Sequence, residues 1–138
     1  FSTKTAWQAI RRQDEEVNWY KLVWHSPRIP KHAFCLWLTI RGAHKTMDKL
    51  LALGIVTSAD CVFNCGWIES MNHLFLACPY TQNLWQDILG MCNIHRSILP
   101  WPDELQWMIE HSNGHIFPAP LRKLVLGATI YHVWMERN

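Results

Sequence analysis

The chain has 138 residues, 49% of them apolar, with nine tryptophans, five cysteines and a formal net charge of +2. That is enough chain to bury a core without a disulfide framework, and the odd cysteine number argues against such a framework and for a reducing compartment. No run of about 18 apolar residues occurs, so no membrane-spanning helix is expected, and the apolar content excludes a disordered chain.

Ser2 or Thr3 is placed to cap a first helix carrying Ala6, Trp7 and Ile10, which gives way to the charged stretch from Arg11 to Glu16. The Phe1-Ser2-Thr3-Lys4 opening lacks the look of a signal peptide and an initiator Met, which reads as a piece of something longer. Trp19, Leu22 and Val23 form a second apolar cluster before the helix-resistant Ser26-Pro27-Arg28-Ile29-Pro30. From Pro30 the spacing of Ala33, Phe34, Trp37, Leu38 and Arg41 predicts an amphipathic helix ended by Gly42. Thr46 is placed to cap the next one, with Met47, Leu50 and Leu51 as its apolar face and Gly54 as a left-handed terminator. Ile55-Val56 and Cys61-Val62-Phe63 allow at most a small hairpin.

Pro79 suits the first position of a helix presenting Leu84, Trp85, Ile88 and Leu89 and ending at Gly90. After Pro100-Trp101-Pro102 comes a short helix with Leu105, Met108 and Ile109. Pro118-Ala119-Pro120 then opens a long one, with Leu121, Leu124, Val125, Ala128, Tyr131, His132 and Met135 on a 3.6-residue period. The expected fold is mainly α, one domain over residues 1–138: about six to seven helices, helical over 1–54 and 80–138 around a metal module at 55–79. Helical spacing assigns Trp7, Trp37, Trp85 and Trp134 to the core.

The stretch from Cys61 to Cys78 reads C-x3-C-x7-H-x4-C, which offers Cys61, Cys65, His73 and Cys78 as ligands. Three thiolates and an imidazole suit tetrahedral zinc, and four protein ligands leave no position for a catalytic water. Gly66 directly after Cys65 allows a positive φ that turns backbone N–H groups toward the sulfurs. His73 and Cys78 are five residues apart, about 140° around a continuous helix, so they meet only if the helix breaks. Pro79 supplies the break, and a cysteine capping the following helix would sit where the dipole favours its thiolate. The alternatives are three buried cysteines beside an unrelated histidine, or a disulfide. Spacing, Cys-Gly and Cys-Pro together favour the metal.

These residues resemble the zinc-binding domain downstream of reverse transcriptase in plant LINE-type (non-LTR) retrotransposons and their derived cellular copies. Also similar are Trp19 to Trp24, Ile29 to Phe34 with Leu36-Trp37-Leu38, Thr46 to Leu50, Glu69-Ser70, His73-Leu74-Phe75, Trp85 and the segment from Ala128 to Asn138. The family usually shows C-x2-C. Here Asn64 occupies that second position and Cys65 falls one place late, so either the turn is one residue longer or the site is weakened; the retained Cys65-Gly66 favours the longer turn.

The resemblance implies an intracellular module, nuclear or cytoplasmic with an organellar place left open, acting beside a reverse transcriptase on RNA or DNA. Residues 1–58 carry nine Lys or Arg against four acids, net +5, while residues 59–121 carry one against six, net −5. Arg11, Arg12, Lys21, Arg28, Lys31, Arg41, Lys45 and Lys49 are the candidate phosphate contacts, against the reading that they form an ordinary solvated surface. A protein-interaction or structural subunit of an assembly is the alternative function. An enzyme is not expected: no paired polymerase acids, Gly-rich phosphate loop or nucleophile triad is signalled. His111 and His115 are four apart, but Asn113-Gly114 between them reads as a turn rather than a second metal pair.

Overall fold

The structure, a computed structural model, describes residues 2–11, 15–114 and 116–138; Arg12 and His115 lie outside the described residues. Among these it has seven α-helices: α1 Thr3–Ile10, α2 Tyr20–Val23, α3 Pro30–Ile40, α4 Met47–Ala52, α5 Pro79–Met91, α6 Trp101–His111 and α7 Ala119–Arg137. A π-helical turn, His73–Ala77, precedes α5. The only β structure among the described residues is one antiparallel bridge, Asp60 with Ile68. The mainly helical expectation holds, and so does the limit of a short hairpin. Among the described residues no helix is long and apolar enough to cross a membrane.

Local chemistry explains most boundaries. Ser2 accepts the Thr5 N–H at 3.2 Å as the cap of α1, and Pro30 and Pro79 stand at the first turns of α3 and α5. Helix α3 ends at Gly42 (φ +60°), where the Ala43 N–H reaches back to the Leu38 carbonyl at 2.8 Å. Helix α4 ends the same way at Gly54 (φ +69°), with the Ile55 N–H on the Leu50 carbonyl at 2.9 Å. At the start of α4 the expected cap differs. Thr46 makes no capping bond; its hydroxyl donates to Asp48 Oδ1 at 2.5 Å. Glu69, 22 residues away, does the capping, with its carboxylate on the Met47 N–H at 3.0 Å and its carbonyl on the Asp48 N–H at 3.1 Å.

Helices α3 and α7 pack against each other at the centre, with the π-turn and α5 on one side and α2 and α6 on another. Trp85 and Leu89 of α5, Met108 of α6, Leu22 and Val23 of α2, and Leu74 and Phe75 of the π-turn are buried against them. The Trp85 indole donates to Glu104 Oε1 at 2.8 Å. Glu104, itself fully buried, also takes a two-pronged ion pair from Arg96 (2.6 and 2.8 Å) and the Leu99 N–H at 3.1 Å. A buried carboxylate is tolerable because its oxygens are so fully met, and the network ties the loop between α5 and α6 to both.

Two faces are rotated from their expected positions. On α3 the buried residues are His32, Ala33, Cys35, Leu36 and Thr39, while Phe34 is 54% exposed, Arg41 is exposed, and Trp37 and Leu38 are half-buried. On α7 they are Ala119, Lys123, Leu126, Gly127, Thr129, Ile130 and Val133, while Met135 and His132 face outward. Hydrophobicity alone favours the large side chains, but the buried face of α3 mixes Ala33, Cys35 and Thr39 with His32 and Leu36. A Cβ on Gly127 would lie 3.5 Å from that of His32. Thr39, turned inward, is satisfied locally: its hydroxyl donates to the Cys35 carbonyl at 3.0 Å and lies 2.8 Å from His44 Nε2. The core assignment holds for Trp85 and in part for Trp37 and Trp134. It fails for Trp7, 61% exposed on a helix that buries nothing.

Candidate metal centre

The centre is built by two short pieces of chain. In the first, the Asp60–Ile68 bridge, the Cys61 N–H on the Trp67 carbonyl (2.8 Å) and the Glu69 N–H on the Ala59 carbonyl (2.7 Å) clasp a tight loop. Inside it the Asn64 N–H turns back onto the Cys61 carbonyl at 3.0 Å. Asn64 takes φ +52° and Gly66 φ +82°. Asparagine is the non-glycine residue most at home in that left-handed region. Asn64 therefore absorbs the additional residue of C-x3-C, and the longer turn brings Cys65 to the cluster.

In the second piece the chain does not run as an α-helix between His73 and Cys78. The Cys78 N–H bonds the His73 carbonyl at 2.7 Å, a five-residue closure that widens the turn and brings the two side chains over one another. The break expected at Pro79 is present too: Cys78 has an extended ψ of 131° and caps α5, with its sulfur at the partially positive end of that helix.

The four donor atoms of Cys61, Cys65, His73 and Cys78 all lie within 4.8 Å of one another. Cys61 Sγ and Cys78 Sγ are 3.9 Å apart, and Cys65 Sγ and His73 Nε2 are 3.1 Å apart. A tetrahedron with zinc–sulfur bonds of about 2.3 Å has sulfur–sulfur edges of about 3.8 Å. Cys61, His73 and Cys78 are buried and Cys65 is half-buried. No disulfide competes: all five cysteines are free. Burial pushes the Cys61 thiol up to about 12, opposed by the Phe63 backbone N–H. At Cys65 burial acts upward, yet the Trp67 backbone N–H and the Cys61 and Cys78 thiols outweigh it and hold the group below its ordinary value. Burial also lowers the His73 imidazole, opposed by Glu69, which favours the neutral ring a metal needs.

A family model described as zinc-binding in reverse transcriptase matches residues 1–85. The chain belongs to that family. No curated protein and no solved structure gives a match. The donor set fits the zinc of this reverse-transcriptase zinc-binding domain: three thiolates and one neutral imidazole give a closed site of net charge −1. Bound there, zinc would cross-link the clasped loop to the π-turn and α5.

The support around the centre was not legible beforehand. Glu69, fully buried, receives Arg137 through Nε at 3.1 Å and Nη2 at 2.8 Å as well as the Met47 N–H. It thus joins the metal loop to α4 and to the end of α7. Nothing local marks this pair, which spans 68 residues and reaches beyond the family-matched stretch.

Of the candidate phosphate contacts, Arg11, Lys21, Arg28, Lys31, Arg41 and Lys45 are exposed. Lys49 is half-buried and donates to the carbonyls of Gly42 and of His44, the latter at 3.1 Å, which holds the loop after α3 and leaves less of it for a ligand. His111 lies flat on Trp107 with ring centroids 4.2 Å apart.

Proposed function

We propose that this chain is the zinc-stabilised, nucleic-acid-associated accessory module of a plant LINE-type reverse transcriptase or of a cellular copy derived from one, and that it is not itself catalytic. The family membership supports the reverse-transcriptase context, and the closed ligand set supports a structural role for the metal. The observation that carries the nucleic-acid reading is the outward face of α3. Phe34 and Trp37 lie side by side there with ring centroids 5.7 Å apart, Phe34 mostly in solvent. Lys31 and Arg41 flank them three and four residues away along the helix, both exposed. Among the described residues the only ion pairs are Arg96–Glu104 and Arg137–Glu69, so these cations have no carboxylate partner. Aromatic rings between unpaired cations suit single strands: bases stack on the rings while phosphates meet the charges.

The test is binding of a labelled RNA or DNA oligonucleotide across a salt series. Phe34→Ala removes an exposed ring and is expected to weaken binding by about 1–3 kcal/mol without lowering stability. Lys31→Gln with Arg41→Gln is expected to flatten the salt slope by about 0.7 per lost contact. Binding unchanged in both variants would remove this face from the proposal.

A second reading, a protein-interaction or structural subunit, is supported by Leu53, Ile55, Trp67 and Ile68, each more than 60% exposed on α4, its exit and the metal loop. A stable protein partner without salt-sensitive nucleic-acid affinity would favour it.

A further inference from the structure

The corner where α2, the end of α6 and the start of α7 meet holds polar groups the fold itself does not use. Lys123 is 6% exposed, takes part in no hydrogen bond or ion pair with any described residue, and borders every hollow of this corner. Among the described residues the Ser112 hydroxyl, on a residue 2% exposed, has no partner, and neither has the buried Nδ1 of His25. Lys21 stands close enough to Lys123 to repel it, and Arg28 and Lys123 both act on His25. Among the described residues the charges that act on one another here are all positive. Lys123 is drawn below the ordinary lysine value, first by burial and then by Lys21, and His25 is lowered first by burial and then by Lys123 and Arg28.

A buried ammonium beside other cations, with no acceptor, is costly. Lys123 gains no hydrogen bond or ion pair from any described residue, whereas an anion in the adjoining cleft would meet Lys123, Lys21 and His25 together. The corner is open to one: a cleft of about 600 Å³ is bordered by Lys21, Trp24, His25, Ser26, Asn113 and Lys123. We infer that this cleft is a phosphate-binding site, with Lys123 and Lys21 as its charged ligands and His25 beside them.

A phosphate there is supplied either by the backbone of a nucleic-acid strand or by a free phosphate. The strand source rests on the function proposed above and deepens it, by placing a second contact away from the α3 face. As a compact charge, an ammonium suits a phosphate oxygen, and the Trp24 ring at the mouth offers a surface to an adjoining base.

Two probes separate the possibilities: a labelled single-stranded RNA across a salt series, and inorganic phosphate followed by the NMR shifts of the His25 and Trp24 rings. Each is applied to the zinc-loaded wild type, to Lys123→Met and to Lys21→Met. Lys123→Met removes an uncompensated buried cation and is expected to melt no lower than wild type; the exposed Lys21 makes Lys21→Met an independent arm free of folding effects. RNA affinity lower by about tenfold in Lys123→Met, with the salt slope reduced by about 0.7, upholds a backbone-phosphate site. RNA binding unchanged in both variants, with no phosphate-dependent ring shifts, overturns the site while leaving the α3 face standing. Wild type that ignores RNA but shows phosphate-dependent ring shifts, abolished in Lys123→Met, upholds the cleft as a free-phosphate site and overturns the strand source. With no response to either probe, both inferences fall.

Discussion

The replacement Arg137→Met tests the claim that the end of α7 anchors the metal loop. Glu69 Oε1 holds three donors, Arg137 Nε, Arg137 Nη2 and the Met47 N–H, while Oε2 is buried without a partner. Arg137 is itself only 8% exposed, so solvent screens little of the pair. The variant removes two charge-assisted bonds, each worth about 1.5–3 kcal/mol, and leaves a buried carboxylate with one neutral donor. Together these place the loss at about 3–5 kcal/mol, the range for a buried pair broken from one side. With a urea dependence of about 2 kcal/mol per molar, the zinc-saturated protein should unfold at a midpoint lower by about 2 M. Glu69→Gln with Arg137→Met should recover most of that, since a neutral amide still accepts the Met47 N–H. A midpoint within about 0.3 M of wild type for Arg137→Met, or a double variant no better than the sum of the singles, would refute the anchoring.

Stoichiometric zinc in the wild type should be lost in both Cys61→Ala and Cys65→Ala, read by metal analysis beside circular dichroism; metal retained without Cys65 contradicts the long-turn geometry. Burial lowers His44 to about 4, with Lys49 and Arg137 adding to the effect and a Cys35 backbone hydrogen bond opposing it, while the unfolded ring titrates near 6.5. The unfolded state then takes up the proton first as pH falls, so this contribution is complete above about 6.5 and drains away toward 4, reaching about 3 kcal/mol. The difference in urea stability between wild type and His44→Gln, both zinc-saturated, should shrink over that window; a constant difference defeats the argument. A chain cut after residue 85 keeps the family-matched stretch but strips Ala33, Leu36 and Thr39 of their α7 partners. Such a fragment should show no cooperative thermal transition even with zinc, and a sharp one would show that α7 is dispensable.

The parts of this fold legible in the sequence are those whose cause is local. Gly42 and Gly54 end helices because a left-handed residue is needed where the chain turns off, and both neighbours of each turn are in view. The metal ligands belong to the same class: they occur within 18 residues, and soft donors at that spacing have few other reasons to cluster. Asn64 completes the point. Met first as a displaced cysteine position, it is the residue whose left-handed backbone makes the displacement workable.

What sequence reading misplaced follows from one physical fact: periodicity finds a helix but does not say what will lie against it. On α3 the strongest stripe is Phe34, Trp37 and Leu38, and the rule that large apolar side chains turn inward assigns it to the core. What α3 meets is α7, and the face turned inward carries His32, Ala33, Cys35, Leu36 and Thr39, which leaves Phe34 outside. Lys123 is likewise turned inward on α7. Both departures from a minimal core, an exposed aromatic stripe and an uncompensated buried lysine, cost the isolated domain free energy. Both stand beside cations that have no carboxylate partner among the described residues, which is what the proposed nucleic-acid function would use.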